Sequence, residues 1–96
     1  MFAIILTYKQ PLEAVERVTP AHRAFLDTGY AAGIFLMSGR QTPPTGGVIL
    51  AKAESREALD AFLAQDPFMT EGIADYAIYE FTPVKYQPCL KEFLGV

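Results

Sequence analysis

The sequence predicts an α+β fold in which two helices pack on one face of a four-stranded antiparallel sheet. Three observations carry this expectation. Short apolar runs rich in β-branched and aromatic residues alternate with two segments whose apolar residues recur at helical spacing. The elements follow in the order strand, helix, strand, strand, helix, strand, which is the ferredoxin-like βαββαβ arrangement. A chain of 96 residues is one domain long, enough to bury roughly 60–70% of its unfolded surface without a metal or disulfide staple.

Taken in order, "MFAIILTY" (residues 1–8) is an apolar run best satisfied as a strand buried on both faces. "QPLEAVERVTPAHRAFLDTGYAAG" then switches to helical spacing. Pro11 and Pro20 both suit the first turn of a helix, and Thr19 can cap a segment that begins at Pro20. The expectation is a short helical turn, a break near Thr19, and a main helix from Pro20 to about Ala31 that Gly33 allows to stop. "IFLMSG" and "GGVILAKA" read as strands joined across "RQTPPTGG", where paired prolines and glycines continue neither element. "SREALDAFLAQ" is the second helix, with Ser55 as its N-cap, Glu57 near the positive end of its dipole, and Leu59, Phe62 and Leu63 as its apolar stripe. "DYAIYEFT" is the last strand. The division is a domain over residues 1–84 and a tail over 85–96, whose Pro88, with Pro83 just before it, keeps this segment from extending the sheet.

Composition narrows the function. The apolar set AVILMFWYC makes up 51% of the chain, and both parities of the first strand are apolar: Phe2, Ile4 and Leu6 on one face, Ala3 and Ile5 on the other. Two helices cover only one side of a four-stranded sheet. A second copy stacking its own sheet on the uncovered side is the expected cover, so a homodimer is expected, with Leu90, Phe93 and Leu94 of the tail available for further contacts; the competing arrangement has the tail folding back over that face. One cysteine, Cys89, forms no internal disulfide, and with no leader segment a cytoplasmic location is expected. The apolar runs are far shorter than the ~20 residues that span a bilayer. A net charge of −3 gives no reason to expect nucleic acid as a partner, and "GGVILAKA" lacks the aromatics that stack bases in RNA-recognition motifs. One histidine and one cysteine, far apart, leave too few ligands for a zinc-like site, and Cys89 has no neighbour that would activate it as a nucleophile. No metal or cofactor is expected.

Two polar groups interrupt apolar stripes. His22, the single histidine, shares one helical face with Val18, Phe25, Leu26 and Gly29. Asp66 stands three after Leu63, four after Phe62 and seven after Leu59, so it continues the buried face of the second helix. Each has a purely structural explanation. A lone histidine on an apolar face is commonly a satisfied core residue. An aspartate before proline, with Gly72 to close a short turn over "PFMTE", is a helix N-cap. In combination they are also the parts of an acid/base pair: a carboxylate on one imidazole nitrogen fixes the tautomer and frees the other nitrogen as a base. The two readings of Asp66 are compatible, because one oxygen can cap the backbone while the other holds the ring.

"HRAFL" from His22, "GIFLMSG" from Gly33, "SREALDAFLAQDPF" from Ser55 and "YEFTPV" closing the last strand together resemble the YciI-like (YCII-related) family, over Met1 to about Val84. The resemblance implies a dimeric α+β barrel built on the ferredoxin-like unit, and an active site whose histidine and aspartate map onto His22 and Asp66. After the second strand many members carry Ser-Gly-Pro where this chain has Ser38-Gly39-Arg40. Arg40 places a cation at the pocket rim, suited to an anionic substrate, or is a solvated loop charge; Ser38 hydrogen-bonds a ligand or simply finishes the strand.

The leading expectation is a small cofactor-independent enzyme in which His22, oriented by Asp66, moves a proton on a small organic molecule in an isomerisation or elimination. Ser38 and Arg40 are the expected substrate-binding residues. A haem-degrading or quinol-type monooxygenase on a similar barrel finds little support without tryptophan or a second histidine. The alternative from another class is a non-catalytic ligand-binding or accessory dimer in which the His–Asp pair is structural. The fold alone does not choose between them.

Overall fold

The computed structural model describes residues 1–96. Its elements are β1 (Phe2–Tyr8), α1 (Leu12–Ala31), β2 (Phe35–Arg40), β3 (Gly46–Ala51), α2 (Arg56–Leu63), α3 (Pro67–Thr70) and β4 (Ala74–Glu80); a single 3₁₀ turn, Pro88–Leu90, then runs into α4 (Lys91–Leu94). The sheet order is β2-β3-β1-β4, antiparallel throughout, which is the ferredoxin-like arrangement expected from the element order. Arg40 closes β2 as its last residue and is not a loop charge.

One face of the sheet makes the core. Phe2, Ile4 and Leu6 of β1 pack with Ile49 and Ala51 of β3, Val15 and Phe25 of α1, Leu59 and Leu63 of α2, and Phe68 of α3. Full burial of each of the larger of these side chains contributes about 1.5–3 kcal/mol, so these positions dominate the stability of a chain this small. The expectation that β1 is buried on both faces holds on one face only: Ala3 and Ile5 are half-buried within the single chain.

α1 corrects the sequence reading. It runs unbroken through Thr19 and Pro20, and Pro20 lies inside it, not at its first turn. Proline has no N–H to give the carbonyl four residues back. What keeps the helix whole is packing: Val15 and Val18 before the proline and His22 and Phe25 after it face the same core. Thr19 does not cap a new segment either; its hydroxyl donates back to the Val15 carbonyl at 2.7 Å. The helix ends as expected at Gly33, in the left-handed region with φ 73°, where the Gly33 and Ile34 N–H groups close onto Tyr30 and Gly29 carbonyls.

α2 starts where Ser55 accepts from the Ala58 N–H at 3.0 Å. In the tail, the Lys52 ammonium donates to the Phe93 carbonyl and lies over the Phe93 ring, tying α4 to the end of β3. No helix is long and apolar enough to cross a membrane.

Candidate active site

Asp66 sits where α2 gives way to α3, with no solvent exposure. Its backbone is extended because a proline follows, and Pro67 opens α3 at the position where a missing N–H costs nothing. The carboxylate Oδ1 accepts from the Phe68 N–H at 2.9 Å, so Asp66 is the N-cap of α3. The same oxygen lies 2.7 Å from Nδ1 of His22, which is 44 positions earlier in the chain. Cap and partner are one residue, though one oxygen serves both and the other is taken up elsewhere.

That other oxygen, Oδ2, accepts from the hydroxyl of Tyr76 on β4. Sequence reasoning missed Tyr76. The signal was present: it shares strand parity with Ala74 and Ile78, which face the core, and a tyrosine on a core face needs a partner for its hydroxyl. Burial, reinforced by the hydrogen bond and the charge of Asp66, holds the Tyr76 phenol above its ordinary range, so it stays a donor. Three donors thus take the place of water around a carboxylate at the centre of the domain, and no side-chain polar atom is left buried without a partner.

His22 reaches this carboxylate from α1. Its ring stacks on Phe68, with centroids 3.9 Å apart and planes within 5°, and the residue is 8% exposed. An ionised carboxylate only accepts, so Nδ1 carries the hydrogen, and in the neutral ring Nε2 keeps its lone pair. Nε2 has no protein partner, and the ring lines a cleft of about 810 Å³ between α1 and the sheet. The cleft is thus lined by an imidazole held from behind by the Asp66 carboxylate.

Ser38 and Arg40 line the same cleft, and a bulge in β2 puts them there. Phe35 pairs with Ala51, but Met37 pairs with Leu50 and Ser38 with Ile49, so one extra residue interrupts the register between Phe35 and Met37. Strand side chains alternate, and without the bulge Phe35 and Ser38 would face opposite sides. With it, Phe35 joins the core and Ser38 and Arg40 still turn toward α1. The Ser38 hydroxyl is 2.7 Å from the Tyr30 hydroxyl on α1. Of the four residues expected from the sequence, His22, Ser38 and Arg40 border this cleft, and Asp66, fully buried, stands behind His22 and does not line it. Outside it, no three His, Cys, Asp or Glu side chains converge to hold a metal ion, and Cys89 is exposed in the tail.

A family model described as the YCII-related domain matches residues 1–82. Comparison with curated proteins returns no match. Among solved structures, a 5-chloro-2-hydroxyhydroquinone dehydrochlorinase from Burkholderia phenoliruptrix, in complex with 2,5-dihydroxybenzoquinone, superposes with a TM-score of 0.70 over 85% of this chain and 94% of that one, at 21% identity. An antibiotic biosynthesis monooxygenase superposes with a TM-score of 0.57 over 88% of this chain and 100% of the other, at 20% identity. At these identities the likeness is one of fold.

Proposed function

The chain belongs to the YCII-related family, and from that premise we propose that it is a small enzyme in which His22 is the general base and acid, Asp66 orients it, and the substrate is a small organic molecule held in the α1–sheet cleft. Nε2 takes a proton from a carbon or hydroxyl beside a carbonyl or on a phenol ring. The electron pair left behind either expels a leaving group, or stays delocalised until the proton returns at another carbon. The first outcome is an elimination and the second an isomerisation. Neither calls for a metal or redox cofactor. The observation that carries the reading is the buried carboxylate on Nδ1 of a histidine that lines a cleft and whose other nitrogen has no protein partner. The dehydrochlorinase of the same fold supports it, since loss of hydrogen chloride is an elimination of this kind.

General acid–base catalysis contributes typically about 10²–10⁴-fold. Wild type is expected to release chloride from 5-chloro-2-hydroxyhydroquinone, or to exchange deuterium into cyclic enones and phenolic acids, and His22→Asn is expected to lose about 10²-fold or more of that rate. Equal rates in the two proteins contradict the proposal. A second reading, a non-catalytic ligand-binding module, draws on the structural duties of Asp66 toward Phe68 and Tyr76; saturable binding with no exchange in wild type favours it.

A further inference from the structure

The two walls of the cleft differ in charge. The α1 wall carries Arg23 together with Glu16 and Asp27; on the sheet wall Arg40 is the single charged residue. Arg40 has no ion-pair partner: the chain's ion pairs are Lys9–Asp75, His22–Asp66 and Arg56–Asp60. Arg40 pairs across the sheet with Gly47, and Gly47 with Leu6. Strands lie about 4.8 Å apart, so Leu6 and Arg40 stand about 10 Å from each other with a glycine between them. At Gly47 an added Cβ would meet the Gly39 carbonyl oxygen at 3.1 Å and no side chain, so the glycine leaves a trough that is apolar at the Leu6 end and cationic at the Arg40 end. Two residues back along β2, on the same face, Ser38 shares a hydrogen bond with Tyr30. Two hydroxyls carry two hydrogens and the bond uses one, so one remains to donate to a bound molecule.

We infer that the cleft selects a small cyclic organic anion, whose ring lies in the trough over Gly47 and whose carboxylate, enolate or phenolate oxygen is held by the Arg40 guanidinium and the Ser38–Tyr30 hydroxyls. A guanidinium is suited to this because its planar fork matches a carboxylate or a pair of ring oxygens. His22 lines the same cleft, so an anion bound there shares it with the imidazole that the proposed chemistry uses. The inference rests on the cleft being the ligand site proposed above, and it is independent of turnover.

The single imidazole is the reporter. Salicylate and its neutral counterpart salicylamide are titrated at neutral pH while the His22 ring signals are followed by NMR, in wild type, Arg40→Gln and Arg56→Gln. Salicylate is expected to shift the signals saturably with Kd of about 1 mM or below. Salicylamide, and salicylate with Arg40→Gln, are expected to bind about tenfold more weakly, the loss of one charge-assisted contact. Arg56→Gln, on α2 and paired with Asp60, leaves binding unchanged. Equal binding of the acid and the amide, equal binding to wild type and Arg40→Gln, or no saturable shift by about 10 mM salicylate overturns the inference. Salicylate binding that depends on Arg40 in a protein without exchange activity keeps the anion site and removes the catalysis.

Discussion

Asp66 concentrates three functions in one carboxylate: it caps α3 through Phe68, orients His22, and accepts from Tyr76. The last contact makes a pH prediction. The Tyr76 phenol is held above its ordinary range first by burial, then by the hydrogen bond and charge of Asp66. Unfolded tyrosine ionises near pH ~10. Above that pH the native state keeps a proton that the unfolded chain has lost, so the contribution of Tyr76 is complete below about pH 10 and declines as pH rises further, by up to about 1.4 kcal/mol per pH unit. Urea unfolding at about pH 9 and about pH 11 is expected to show wild type losing more stability than Tyr76→Phe; equal losses contradict the assignment. His22 and Asp66 were legible in the sequence because each breaks an apolar stripe at helical spacing. Tyr76 was not singled out, since an aromatic in a strand is an ordinary core residue until its hydroxyl partner is known.

Among the elements, α1 and β2 each depart from a simple pattern and each shapes the cleft. Pro20 lies within α1 and lines the cleft, leaving the Glu16 carbonyl without its helical donor. Proline in a helix interior costs about 3 kcal/mol relative to alanine. Pro20→Ala is therefore expected to raise unfolding stability by about 1–3 kcal/mol, measured by urea denaturation; no change, or a loss, contradicts this account of α1. The sequence reading broke the helix there because a proline after a threonine is also a good helix start, and only the core contacts on both sides of it decide. The bulge in β2 was harder to see. "IFLMSG" is apolar at alternate and adjacent positions alike, so nothing marks the extra residue, yet that residue determines that Ser38 and Arg40 share a face with Phe35. Both were named as ligand-binding residues from their place in the chain; their common direction comes from the register.

At the scale of the molecule, the strand and helix order carried the topology, and 1–82 match the family model. The sheet face away from the helices is apolar: Ala3, Ile5, Val48 and Leu50 lie across from one another on it, with Met37 and Tyr79 exposed alongside. A second copy is the expected cover, and light scattering at micromolar concentration is expected to give twice the chain mass; a monomer would leave this face without a stated purpose. What the fold accomplishes for the site is to bring His22, from the first helix, onto a carboxylate 44 positions later, inside the core of the domain. The measurement that tests this most directly is nitrogen NMR of the His22 imidazole in wild type and Asp66→Asn. If the buried carboxylate fixes the ring, the neutral ring in wild type carries its hydrogen on Nδ1, and Asp66→Asn shifts it toward the Nε2-protonated tautomer. If the two spectra superimpose, Asp66 is only the cap of α3, and the acid/base pair on which the proposed function rests does not exist.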